Sequence, residues 1–148
     1  MTSAIASITA AMAAWTPTYD SDVTIYCRDM DELSDTFDVG DCPMRMLFMG
    51  DDDAAHVALG KTVRANWVII DRCYIKPEAH GDSLKENSQR IRDYIASYME
   101  TVRTNRAPTS QSWVTDVRFS GSKFNWPPGS NTNTMIGVEA RVSISEVF

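Results

Sequence analysis

KTVRANWVIIDRCYIKPEAHGDSLKENSQRIRDYIASYMETV, residues Lys61 to Val102, decides the fold, because its apolar pattern changes from a two-residue to a helical repeat across one short break. Val63, Ala65, Trp67, Ile69, Cys73 and Ile75 share one side of the two-residue repeat, and Thr62, Arg64, Asn66 and Arg72 share the other. Side chains alternate across a strand, so this pattern predicts a half-buried one. The break follows from Lys76 to Gly81, where Pro77 removes a backbone donor and Gly81 accepts dihedrals closed to other residues. Ser83 and Glu86, three apart, then form a capping-box pattern that satisfies donors left free by a first helical turn. Leu84, Ile91, Ile95, Tyr98 and Val102, with Met99 beside them, recur at helical spacing opposite Lys85, Arg92, Asp93 and Glu100. That helix requires a sheet beneath its apolar face.

Upstream of this stretch, Ile5, Ile8, Met12 and Trp15 predict a first helix, capped by Thr2 or Ser3 and stopped by Pro17. Val23, Ile25 and Cys27 alternate with polar residues as a short strand, and Asp29 to Asp41 reads as an acidic loop anchored by Leu33, Phe37 and Val39. Met44 to Met49 is apolar except for Arg45, the pattern of a strand covered on both faces, by this chain or by a neighbouring subunit. Asp51 to Gly60 reads as the extended tip of a hairpin leading into the long strand. Downstream, Trp113, Thr115, Val117 and Phe119 share a phase in a strand that Gly121 is expected to bend or end. Asn125 to Thr134, with Trp126, reads as a loop, and Ile136, Val138, Ala140, Val142 and Ile144 mark a closing strand with one dry side. Helix, strand, strand, strand, helix, strand, strand predicts an α+β fold of two layers: a mostly antiparallel sheet of about five strands with two helices on one face.

At 148 residues the chain suits a single domain, residues 1–148, with a core of its own. A 43% hydrophobic and 23% charged composition is that of a globular chain rather than a disordered one. No run approaches the roughly 18 apolar residues of a membrane span, and the Ala-rich start has no preceding Lys or Arg, so it reads as a helix rather than a signal sequence. Three widely spaced cysteines without a CxxC pair indicate neither a disulfide framework nor a zinc site; Cys27 and Cys73 fall on apolar phases and are expected to be buried. The net charge of −6 is unevenly distributed. From Asp20 to Asp53, eleven acidic residues meet two arginines, net −9, while the remainder carries twelve basic against nine acidic residues, net +3. The acidic stretch would repel a phosphate backbone, and it serves either as a solvated face or as a surface for a basic partner.

Asp51, Asp52, Asp53 and His56 form the one close group that resembles a site. They lack the alternate spacing of a calcium loop and the further ligands of a zinc centre, so no metal is expected there. His80, between Glu78 and Asp82, has no nucleophile beside it in sequence, and no phosphate-cradling or nucleophile-elbow motif occurs; FSGSKF, residues 119–124, reads as an exposed turn. Trp126, beside two prolines, is either folded back on the core or offered to a partner, and the methionines around Met46 serve either as adaptable interface or as core filling. The candidate interface residues are therefore Asp51, Asp52, Asp53, Trp126 and Met46, with no catalytic, cofactor or metal residue expected.

The Ala-rich opening helix, the hairpin leading to RANWVIIDRCYI, the polar break, the helix SLKENSQRIRDYIASYMETV and the closing strand MIGVEARVSISEVF together resemble the tail terminator family of long-tailed bacteriophages. The resemblance is one of architecture across nearly the whole chain, and it carries no family residue over individually. It implies a non-catalytic virion protein at the junction of tail and neck, assembled in the host cytoplasm as a six-membered ring without a cofactor. The implied partners are further copies of the chain, the tail tube protein and a neck or head-completion protein, with DNA passing unspecifically and no membrane contact. A related neck or head-completion protein fits the same profile. The alternative from another class is a small monomeric enzyme or ligand-binding domain using the Asp51 to His56 loop.

Overall fold

Thr62–Pro77 forms one continuous 16-residue strand, β5, at the centre of the molecule. The computed structural model describes residues 4–19, 23–28, 42–50, 55–59, 62–77, 84–85, 87–126 and 133–148, with backbone alone at 19, 55–59, 62, 77, 122, 126 and 133. On one edge β5 pairs antiparallel with β7 (Asn133–Val147), which pairs with β6 (Ser112–Trp126). On its other edge β5 is lined by two strands end to end: β3 (Met44–Met49) opposite Ile69 to Tyr74, and β4 (Ala55–Leu59) opposite Thr62 to Asn66. The five-stranded sheet is antiparallel throughout, and α1 (Ile5–Ala13) and α2 (Ser88–Thr104) pack on one face of it. The expected α+β architecture is therefore present.

Its membership differs from the sequence reading in one strand. Ala55–Leu59 was expected within a hairpin tip, yet it is the fifth strand of the sheet. Local composition favours a turn there, but the first half of β5 presents ladder groups that need partners, and pairing decides the outcome. The expected strand from Val23 to Cys27 is mostly not one. Val23–Thr24 (β2) pairs only with Thr18–Tyr19 (β1) in a separate two-stranded ladder, and Cys27 makes one parallel bridge to Arg45. Ile25 is buried, but Val23 is exposed and Cys27 only partly covered, so the expectation of a buried Cys27 is corrected.

The core between helices and sheet follows the predicted phases on β5 and β7, and on α2 it adds Tyr94 to the predicted face. Ile69, Cys73 and Ile75 of β5, with Val138, Ala140, Val142 and Ile144 of β7, meet Ile8 and Met12 of α1 and Tyr94 and Tyr98 of α2. Tyr94 and Tyr98, four apart, form the dry ridge of α2, with Ile91, Ile95 and Val102 partly buried beside them. Trp15 and Phe119 each meet the Tyr98 ring edge-on, with centroids at 5.9 and 5.6 Å. The helix begins at Ser88, later than expected; Leu84 and Lys85 lie in a turn, and Asn87 stands at the N-cap without a side-chain cap bond. Ser83, Glu86, Thr2 and Ser3, the expected caps, lie outside the described residues. At α1 the role falls to a distant carboxylate: the Ala4 N–H donates to Glu146 Oε1, and Trp67 Nε1 donates to Glu146 Oε2 at 2.8 Å. A carboxylate at a helix N-terminus meets both its free donors and its dipole.

β6 and β7 make the expected hairpin, with two corrections. The register shifts between Val114 and Asp116, so a bulge at Thr115 places Val114 on the same side as Val117 and Phe119 and turns Trp113 to the opposite face, where it is 37% exposed. Gly121 neither bends nor ends the strand: a Cβ there would lie 3.6 Å from Ile91, an ordinary packing distance beneath α2.

Cys73 lies on the helix side of β5 with no exposure, and burial, reinforced by nearby Asp71, pushes its thiol well above the ordinary range. Such a thiol is a poor nucleophile. In native protein a thiol-titrating reagent is expected to modify the partly exposed Cys27 and Cys42 and to reach Cys73 only after unfolding. Three thiols titrating together in the native state would contradict this burial.

Candidate subunit interface

Three polar or open regions emerge from these elements, and the first is interior. Arg45 of β3 interrupts an apolar run and Asp71 of β5 interrupts an apolar phase; their side chains are fully buried against each other on the helix side. Arg45 Nε donates to both Asp71 oxygens, at 2.8 and 2.9 Å, and Tyr98 Oη donates to Asp71 Oδ2 at 2.7 Å. The two terminal nitrogens of Arg45 donate to the carbonyls of Trp15 and Met12, each at 2.5 Å, capping the end of α1. Burial opposes both charges. It lifts the Asp71 carboxyl above its ordinary value, with Arg45 and Tyr98 pulling it back; at Arg45 burial is the largest single influence and lowers the value, but Asp71, Tyr94 and Tyr98 together outweigh it and keep that guanidinium charged. Closed to solvent, this cluster ties α1, β3, β5 and α2 together and offers no atom to a substrate. The sequence reading noted Arg45 only as the exception in an apolar run and did not name Asp71; the signal was one charge of each sign set in apolar patterns.

The second region is a groove between the last turns of α2 and the sheet edge. Its floor is Val102, Val114, Val117 and Phe119, its rim carries Arg103, Arg106 and Asp116, and its volume is about 380 Å³. Met99 lines it with 58% of its surface exposed, correcting the expectation that this residue joins the dry face of α2. Along the groove runs β6, which among the described residues pairs with β7 alone. The Val114 N–H is taken by the Arg106 carbonyl at 2.8 Å, but from Asp116 onward the outer edge of β6 faces no described strand. Long open edges are templates for pairing with another chain.

The third region is the sheet face away from the helices. At one end Met44, Met46, Tyr74 and Met135 form a second buried cluster with Phe48 and Phe124 against it. Arg72 lies over both Phe rings, 5.1 and 4.7 Å from their centroids, and donates from Nε to Glu139 at 2.9 Å. Toward the other end the face is polar, with Arg118 and Arg141 opposite each other on β6 and β7.

Of the residues singled out from sequence, the described ones, Met46, His56 and Trp126, lie on three different strands. Met46 is interior, 1% exposed within its own chain, so it serves as core filling and presents no surface to a neighbour. Trp126 belongs to β6, opposite Asn133, rather than to a loop. His56 is in β4, opposite Ala65. Asp51, Asp52, Asp53 and His80 lie outside the described residues. Among the described residues, no three His, Cys, Asp or Glu side chains come together as a metal site, and no helix is long and apolar enough to cross a membrane. Compared with known protein families and with curated proteins, the chain matches none.

Proposed function

We propose that this chain is a structural subunit that assembles into a closed ring, of the kind that caps a phage tail tube and joins it to the head. The observation that carries this reading is the outer edge of β6 from Asp116 to Gly121, which faces no described strand and lies beside a groove with an apolar floor and the exposed Met99. A neighbour's strand or helix would satisfy the edge and cover the floor in one contact, as in strand addition to a sheet. The tail-capping role rests on the resemblance in element order, to which the observed α+β architecture conforms. Its bound partners would be the tail tube and a neck or head-completion protein. Electron microscopy of the purified protein in negative stain tests the reading: closed rings support it, and a field of isolated small particles at micromolar concentration refutes it.

A further inference from the structure

Rows of register partners cross the sheet from β3 to β6. Met49, Ile69, Val142 and Val117 form one row, and Leu47, Asp71, Ala140 and Phe119 the next. Both rows point to the helix side, where Leu47, Ile69, Val142, Val117 and Phe119 join the main core. At one end of the first row Met49 is 47% exposed, and at the other Val117 floors the groove that Met99 lines. The two edges also agree in their peptide groups. The Arg28 N–H donates to the Arg45 carbonyl on the outer side of β3, and the Gly50 N–H donates to the Val68 carbonyl on the β5 side, each at 2.8 Å, so Leu47 and Met49 present their backbone groups outward. The alternation of an antiparallel ladder, carried through β5 and β7, leaves Val117 and Phe119 presenting theirs outward from β6. Among the described residues these four positions meet no strand on that side.

We propose that residues 46–49 of β3 in one copy pair with residues 117–120 of β6 in the next, so that the sheet runs on from subunit to subunit and Met49 fills the Met99 groove. The inference rests on the ring reading and names the contact that builds the ring. β3, β5, β7 and β6 alternate in direction, so β6 of one copy meets β3 of the next antiparallel, as in every pair within the sheet. Opposite edges make a heterologous contact, which generates a ring when the rotation closes, whereas two β6 edges meeting each other would give only a two-fold dimer. At equal height Val117 stands opposite Met49 and Phe119 opposite Leu47, apolar against apolar on the helix side. On the outer side Arg118, with its side chain 82% exposed, stands opposite Phe48, and a guanidinium is attracted to the electron-rich face of such a ring. Arg28 already takes the Arg45 carbonyl, which confines the shared ladder to these four residues of β3.

The test is disulfide trapping in the full chain, with Cys27→Ser and Cys42→Ser so that the buried Cys73 is the one native thiol left. Phe48 and Arg118 of adjacent copies would form a non-hydrogen-bonded pair, with Cα atoms about 4.5 Å apart and within reach of a disulfide. On mild oxidation Phe48→Cys/Arg118→Cys is expected to give a ladder of covalent multimers that stops at the ring size on a non-reducing gel, and an equal mixture of the two single variants is expected to give dimers alone. A double variant that stays uncross-linked while the wild type forms rings overturns this contact and leaves the ring standing, and a monomeric wild type overturns both. Dimers from Arg118→Cys by itself mean a two-fold β6 contact and overturn the proposal. Met49→Lys checks the same contact at an exposed position without disturbing Phe48. With an unchanged circular dichroism spectrum it is expected to associate at least about tenfold more weakly in sedimentation velocity, because the contact would bury an unpaired charge. Association equal to that of the wild type overturns the placement of Met49 in the groove.

Discussion

Asp71→Ala is expected to lower the unfolding free energy by about 3–5 kcal/mol, the cost of leaving one partner of a buried ion pair uncompensated. Arg45 would keep its bonds to the Met12 and Trp15 carbonyls but lose both of those to Asp71, and Tyr98 would lose its acceptor. None of these groups can turn to solvent, since Arg45, Asp71 and Tyr98 are all fully enclosed. Arg45→Met/Asp71→Leu removes both charges together and is expected to fall within about 2 kcal/mol of the wild type, on either side of it, because well-packed apolar replacements of buried pairs are often neutral or stabilising. Urea titration reads both variants: a shifted midpoint at unchanged slope is a change in stability alone. A loss under about 1 kcal/mol for Asp71→Ala would mean that Arg45 reaches water, contrary to its placement.

Gly137→Ala is expected to cost about 3 kcal/mol, the upper end of the usual range for overpacking. A Cβ at Gly137 would run into the Cys73 carbonyl oxygen on β5 and meet two Phe124 ring carbons at 3.0 and 3.1 Å. The ring can yield slightly, but the carbonyl belongs to the central strand and moves only if β5 and β7 separate. Gly137 also adjoins the register shift after Tyr74, where the ladder is already irregular. Thermal denaturation should show a fall of roughly 6–12 °C for a chain of this length. Gly121→Ala, whose Cβ would sit 3.6 Å from Ile91, serves as the control and should change little.

The parts of this fold that could be read from sequence are those in which one face is wetted and the other dry over many residues. β5 and β7 repeat their pattern often enough that pairing and packing only confirm it, whereas on α2 the helical pattern found Tyr98 but not Tyr94, the other fully buried residue of its ridge. Ala55–Leu59 was lost because five residues beside three aspartates carry a turn-like composition, and the decision lies with the unpaired half of β5 opposite. The bulge at Thr115 reversed the side of Trp113 because a single extra residue, invisible in the pattern, exchanges the two faces. The candidate site was harder to read. Arg45 and Asp71 are 26 residues apart and only the sheet register joins them, while Arg118 and Arg141 become a pair only when β6 lies on β7. Met46 belonged to the core, as one of its two readings had it, because alternate residues of β3 point into a second cluster on the outer face.

Sedimentation velocity across a concentration range tests the central claim most directly. Assembly into a closed ring predicts one discrete species whose mass is a fixed multiple of the 16.5 kDa chain, about 99 kDa for six copies, persisting on dilution through the micromolar range. A single 16.5 kDa species at every concentration would contradict it.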